Sequence, residues 1–236
     1  MKIKYIHDFK MTSEEEFQKI QTTLAKNINL KNNFDIKDIK TCAGVDLAYW
    51  THDNKEYGGC SIVVIDVDTK EVLEKVSSYG LINEPYIPGY LAFRELPLIL
   101  KAAEKLSINP DIFMFDGNGY LHFNHMGIAT HASFFLDKPT IGIAKSYLKI
   151  NGVDFQMPDD ELGKYKDIII NDQVYGRTLR TRKGVKPIFI SCGNSIDLNT
   201  ATEMVLKFIT KESRIPIPTR LADLETHIIK REFNKV

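Results

Sequence analysis

A chain of 236 residues, 43% hydrophobic and 26% charged, suits one globular domain over residues 1–236, and its balance of 31 basic against 31 acidic residues gives no net charge with which to attract a polyanion or a membrane. No apolar run approaches the roughly 18 residues of a membrane-spanning helix, and the opening MKIKYIHDFKMTSEEE lacks a long apolar segment, so no membrane contact, secretory signal or transit peptide is expected. Cys42, Cys60 and Cys192 are odd in number and scattered through strand-like apolar surroundings, which argues for reduced, buried thiols and a cytoplasmic protein.

Ser13 and Glu16 form a capping box ahead of Phe17, Ile20, Leu24 and Ile28, whose spacing predicts a helix over 13–29. Residues 41–49, 57–67 and 71–79 read as three strands joined by polar turns, an antiparallel meander with a hairpin at 68–70. Leu91, Phe93, Leu96, Ile99, Leu100 and Ala103 make an apolar stripe in a helix over 89–106. A buried strand at 112–115 then delivers Asp116 to its carboxyl end, where Gly117-Asn118-Gly119 turns the chain. A helix over 127–136, a buried strand over 139–144, a charged connector over 159–166 and further strands within 167–191 follow. Two helices, 199–211 and 219–233, flank a Pro216-Ile217-Pro218 stop. In the last of these, Thr219 is expected to cap and Leu221, Leu224 and Ile228 to face the core. Three antiparallel strands followed by alternating helix and strand predict an α/β fold with a mixed sheet flanked by helices.

Three acids stand out. Asp46 interrupts the strand CAGVDLAY among apolar neighbours, where an unpaired carboxylate costs several kcal/mol unless a partner, a metal or a cleft receives it. Glu95 lies in the apolar helix, with a surface ion pair to Arg94 as the alternative reading, and Asp116 ends its strand. Three carboxylates that can meet at one sheet edge form the hard oxygen set that Mg²⁺ takes.

The strings PYIPGYLAFRELP (85–97), FDGNGYLHFNHMGIATH (115–131), PTIGIAKS (139–146) and IPIPTRLAD (215–223), together with AGVDLAY, resemble the endonuclease V family in order and spacing over most of the chain. The resemblance implies an RNase H-like fold and Mg²⁺-dependent nicking of inosine-containing DNA, with Mn²⁺ able to substitute. The family cuts the second phosphodiester bond on the 3′ side of the lesion, leaves a 3′-hydroxyl and a 5′-phosphate, and does not remove the base. The implied partner is nucleic acid, inosine-containing DNA or, as in some relatives, RNA, acted on by a monomer. Carried over by motif, Asp46, Glu95 and Asp116 are the metal-binding acids at the centre of the site, and Asp223 is a peripheral fourth ligand whose alternative is a solvated acid near a helix start. Lys145 is the cation beside the scissile phosphate, and His122 contacts a phosphate or a metal-held water. Pro85, Tyr86, Ile87 and Pro88 are the wedge that parts the strands. Gly89, Gly117, Gly127 and Ile128 line the pocket of the flipped base, the glycines offering backbone amides and carbonyls to it.

Departures from the family pattern are specific. His122-Phe123-Asn124 stands where many relatives have His-Pro-Arg, Thr130 where serine is usual, and Asn194 where many have histidine. The basic run Arg177, Arg180, Arg182, Lys183 and Lys186 suits a phosphate track or, alternatively, a solvated hairpin face. Two other classes stay open at this point: a catalytically idle binder of deaminated or branched nucleic acid, and a small-molecule phosphohydrolase on the same sheet.

Overall fold

The computed structural model describes residues 1–9 and 13–234. Its centre is one eight-stranded sheet in the order β3-β2-β1-β4-β5-β8-β7-β6. The antiparallel meander comprises β1 (Thr41–His52), β2 (Lys55–Asp66) and β3 (Val72–Leu81). β1 and β2 run further than the sequence suggested because they close through Asp53-Asn54, both at positive φ, the two-residue turn that matches strand twist. β4 (Ile112–Asp116) and β5 (Thr140–Ala144) add parallel to β1. β6 (Tyr165–Ile170), β7 (Gln173–Leu179) and β8 (Ile188–Asn194) return antiparallel, with β8 against β5. The mixed sheet flanked by helices is as expected.

Helices cover both faces. α2 (Leu91–Ala103) and α3 (Ile128–Leu136) bury one side against Ala43, Val45, Ile62, Phe113 and Phe115. On the other, α4 (Leu198–Lys207) and α5 (Ile217–Phe233) close over Cys42, Val63, Met114 and Ile190. The three cysteines are free and buried. No helix among the described residues is long and apolar enough to cross a membrane.

Four expectations need correction. α1 spans Glu14–Ala25, with Ser13 accepting from the Glu16 amide as foreseen, but it stops short of residue 29. There the chain peels away so that the Asn29 amide donates to the Asn194 side chain at 2.7 Å and its carbonyl accepts from Ser195 at 2.7 Å. Asn194 thus has a structural partner in this chain. α5 begins at Ile217, because Pro218 falls in the first turn, where a helix needs no N–H from it. Thr219 is not its cap, and its hydroxyl instead donates to the Pro216 carbonyl. The buried face of α5 is likewise Pro218, Thr219, Ala222 and Thr226; of the expected stripe, Leu221 packs against the core partly buried, while Leu224 is 47% exposed. Small residues face the sheet because the backbones nearly touch: a Cβ on Gly44 of β1 would lie 2.0 Å from the Pro218 carbonyl carbon and oxygen.

Candidate active site

Strand parity places the first acid. Gly44 and Asp46 share the face of β1 that α5 covers, and the close approach at Gly44 brings α5, with Asp223, down onto Asp46. β4 is the parallel neighbour of β1, so its last residue, Asp116, emerges beside Asp46. Carboxylate oxygens of Asp46, Asp116 and Asp223 all lie within 4.8 Å of one another. Lys145, one residue beyond β5, sets its Nζ 2.5 Å from Asp116 Oδ2 and 3.4 Å from Asp223 Oδ1.

Glu95 approaches from the opposite face, on α2, and shares a 230 Å³ cavity with Asp46, Asp116 and Ile128. Its carboxylate accepts a 2.5 Å hydrogen bond from the Tyr49 hydroxyl. The Arg94 guanidinium lies 4.7 Å above the Tyr49 ring and bonds Glu56 and the Glu84 carbonyl, so Arg94 is held by Glu56 rather than by a surface pair with Glu95. The order within the acids therefore differs from expectation. Asp223 stands inside the tight cluster, and Glu95 reaches it around the end of β4.

Burial, then the neighbouring Asp116 charge, pushes the Asp46 carboxyl up to about 9, against the pull of Lys145. Burial pushes Glu95 up to about 7, with the Tyr49 hydrogen bond opposing it. Burial works against the Lys145 charge, but Asp116, Asp223 and Asp46 together hold its pKa above the usual lysine value. Three carboxylates thus crowd around one ammonium, with Glu95 in the adjoining cavity. An all-oxygen donor set with negative charge to spare fits a hard divalent cation such as Mg²⁺.

The other expected residues lie around this centre in two groups. Gly117, at φ 148°, and Ile128 border the acids: a Cβ on Gly117 would come within 2.6 Å of the Ile128 side chain. The Gly117 amide is spent on the Ile143 carbonyl and the Gly127 amide on Gly119, while the Gly89 carbonyl accepts from Gln21. Contrary to expectation, these three backbone groups already have partners within the fold. The loop expected to form the wedge, residues 85–88, lies at the surface with Tyr86 64% exposed, and Ile87 packs against Phe17 and Phe93.

His122 is buried and pushed down to about 4, first by burial and then by His125. Its Nδ1 accepts the Asn124 amide at 3.3 Å, which leaves the proton on Nε2. His122 touches none of the clustered acids. Asn124, in the place of the usual arginine, donates to the Gln18 and Gln21 side chains and ties this loop to α1. Thr130 is wholly buried in α3.

Sequence reasoning missed Tyr49 and Arg214. Tyr49 lies inside the AGVDLAY string and could have been paired with Glu95 by parity, since it shares the α2 face with Val45 and Leu47. Arg214, whose guanidinium donates to the carbonyls of Lys145 and Pro187, carried no such signal.

A carboxylate inside β1, a second at the end of its parallel neighbour β4 and a third from α5, clustered on a mixed sheet that opens with an antiparallel meander, define a nuclease of the RNase H-like fold. Comparisons with known proteins narrow the class. The family model described as Endonuclease V matches residues 22–224. Endonuclease V of Clostridium acetobutylicum is 62% identical over 234 residues, 99% of this chain and 100% of that protein. The crystal structure of endonuclease V from Bacillus subtilis superposes with a TM-score of 0.97 at 59% identity, covering 100% of this chain and 99% of that one. Endonuclease V of Ciona intestinalis, crystallised with a 24mer DNA containing an inosine followed by a ribo-adenosine, aligns with a TM-score of 0.80 at 25% identity over 93% of this chain and 98% of its own. The chain belongs to the endonuclease V family, and as such it is an enzyme, an endonuclease.

Proposed function

We propose that this protein is a Mg²⁺-dependent DNA-repair endonuclease that nicks DNA at the second phosphodiester bond 3′ to deoxyinosine, leaving a 3′-hydroxyl and a 5′-phosphate. The observation that carries this reading is the cluster of Asp46, Asp116 and Asp223 against Lys145, with Glu95 in the same cavity. An idle binder or a small-molecule phosphohydrolase would not account for both this cluster and the exposed wedge. The DNA in the Ciona intestinalis complex is consistent with inosine as the recognised base.

In this mechanism Asp46, Asp116 and Asp223, with Glu95, would hold the cation. When bound, Mg²⁺ supplies Lewis-acid charge to the phosphoryl oxygens and makes water a competent nucleophile near neutral pH. Tyr49 orients Glu95 through its hydroxyl. Lys145 places an ammonium where the phosphorane charge develops. His122, neutral at pH 7, offers its Nε2–H to a phosphate oxygen. Tyr86, presented on a loop stiffened by Pro85 and Pro88, stacks where the inosine has left the helix. Gly117 and Ile128, beside the acids, bound the pocket that receives the flipped base together with Gly127 and Gly89.

A second reading rests on one observation: the oligonucleotide bound to the Ciona intestinalis protein carries a ribose directly after inosine, so RNA is the competing substrate. The test is a matched set of DNA and RNA oligonucleotides, with and without a single inosine, incubated with Mg²⁺ or chelator. Nicking only of the inosine-containing DNA with Mg²⁺ supports the leading reading. Preference for the inosine-containing RNA transfers it to RNA, and no nicking of either refutes both.

A further inference from the structure

The basic run at 177–186 does not form one face. Arg177 is buried, lies 3.7 Å over the Tyr165 ring, and bonds Asp167, Asn199 and Thr202. Arg180 is buried on the carbonyls of Pro158 and Val185. Neither can meet a phosphate. Of the other three, Lys186 is exposed but does not line the groove that Arg182 and Lys183 border, to which the fold brings a third cation, Lys211, from the segment after α4. With Thr181, Ile209 and Thr210 these line a groove of 560 Å³. Among the described residues none of the three cations has an ion-pair partner, because the nearby acids are engaged elsewhere: Asp160 by Arg180 and the Gly184 amide, Glu161 by Lys164, Glu212 by Arg220.

An uncompensated cluster of three cations in a chain of zero net charge raises its own repulsion and lowers it only when an anion binds. The groove is also tied to the catalytic lysine. Arg214 donates to the Lys145 carbonyl at 3.3 Å and to the Pro187 carbonyl at 2.9 Å, and its own carbonyl accepts from the Thr181 hydroxyl at 2.7 Å. One arginine therefore links the backbone that carries Lys145 to the wall of the groove.

We propose that the Arg182–Lys183–Lys211 groove docks the phosphodiester backbone of the nucleic acid flanking the cut, each cation neutralising one phosphate. Backbone contacts of this kind give affinity and register without reading bases. The proposal rests on the nuclease reading above, yet it can fail independently of it.

The experiment measures duplex binding by fluorescence anisotropy, with chelator present, across roughly 50–200 mM salt. It uses the full chain, an Arg182→Gln/Lys183→Gln/Lys211→Gln variant, and a Lys37→Gln/Lys40→Gln/Lys138→Gln control that removes equal charge at the opposite end of the parallel strands. Each duplex contact adds about 0.9 to the slope of log affinity against log salt, so the groove variant should lose about 2–3 from the slope on a long duplex, inosine-containing or undamaged. On a duplex too short to leave the active site it should lose less than about one contact's worth. The control should keep the parent slope on both. Equal slopes for groove variant and control on the long duplex overturn the proposal, as does an equal loss on long and short duplexes. If inosine-containing DNA is not nicked but the groove variant still loses slope, the groove stands and the nuclease reading falls. If the DNA is nicked and the slope is unchanged, only the groove falls. A parent chain that binds no duplex overturns the groove proposal, and the nicking assay alone decides the nuclease reading.

Discussion

Gly44→Ala tests whether the approach of α5 to β1 builds the acidic cluster. The added Cβ would lie 2.0 Å from the Pro218 carbonyl carbon and oxygen and 2.6 Å from the Thr219 nitrogen. These are backbone atoms, so no side-chain rotation can relieve the overlap, and the helix must retreat by more than an ångström. Overpacking of this kind costs about 1–3 kcal/mol, and in a chain of this size each kcal/mol lowers Tm by about 2–4 °C, so a fall of roughly 2–12 °C is expected. Asp223 rides on the same helix, and the retreat draws it away from Asp46 and Asp116. The variant should therefore also gain less thermal stabilisation from Mg²⁺ and need more Mg²⁺ for half-maximal nicking. Thermal unfolding with and without Mg²⁺, beside a metal titration of the nicking rate, reads both effects. A Tm within about 1 °C of the parent with an unchanged metal requirement would refute the argument.

Asp116→Asn keeps the side-chain volume but removes a metal-binding charge and the 2.5 Å partner of Lys145, so single-turnover cleavage should fall by orders of magnitude while filter binding of inosine-containing duplex survives. Tyr86→Ala removes an exposed ring, so lesion binding should weaken roughly ten- to a hundredfold with little change on undamaged duplex and an unchanged Tm. Tyr49→Phe deletes the hydrogen bond that opposes the rise of Glu95 to about 7. Glu95 would then stay protonated to higher pH, so the acid limb of the pH–rate profile should move upward and activity lost at neutral pH should return in alkaline buffer; coincident profiles would exclude the positioning role. His122 is held neutral by burial, with its folded pKa at about 4 against an ordinary value near 6.5. The fold therefore keeps this contribution above about pH 6.5 and loses roughly 3 kcal/mol of it as pH falls toward 4, a slope that urea melts of His122→Gln should show reduced.

Much was legible locally. The apolar run 112–115 broken by Asp116 and Gly117 is a strand end whatever surrounds it, and Ser13 with Glu16 starts a helix from side-chain chemistry a turn away. The family strings pointed to the acids, the lysine and the wedge, and the structure sets Asp46, Glu95, Asp116, Lys145 and Asp223 in one neighbourhood. Even the closeness of Asp223 was partly readable, because Gly44 and Asp46 have the same parity and a glycine in a strand marks a near backbone.

What only the tertiary structure decided depends on residues far apart in the chain. Arg177 and Arg180 look like surface cations until β6, α4 and the 158–160 connector fold over them, and Lys211 joins Arg182 from a separate element. Asn124 finds Gln21, and Asn194 finds Asn29, across more than a hundred residues. Charge and polarity are properties of a residue, but whether a charge meets a partner, a core or open solvent depends on which elements pack against it. Local periodicity carries no information about that packing.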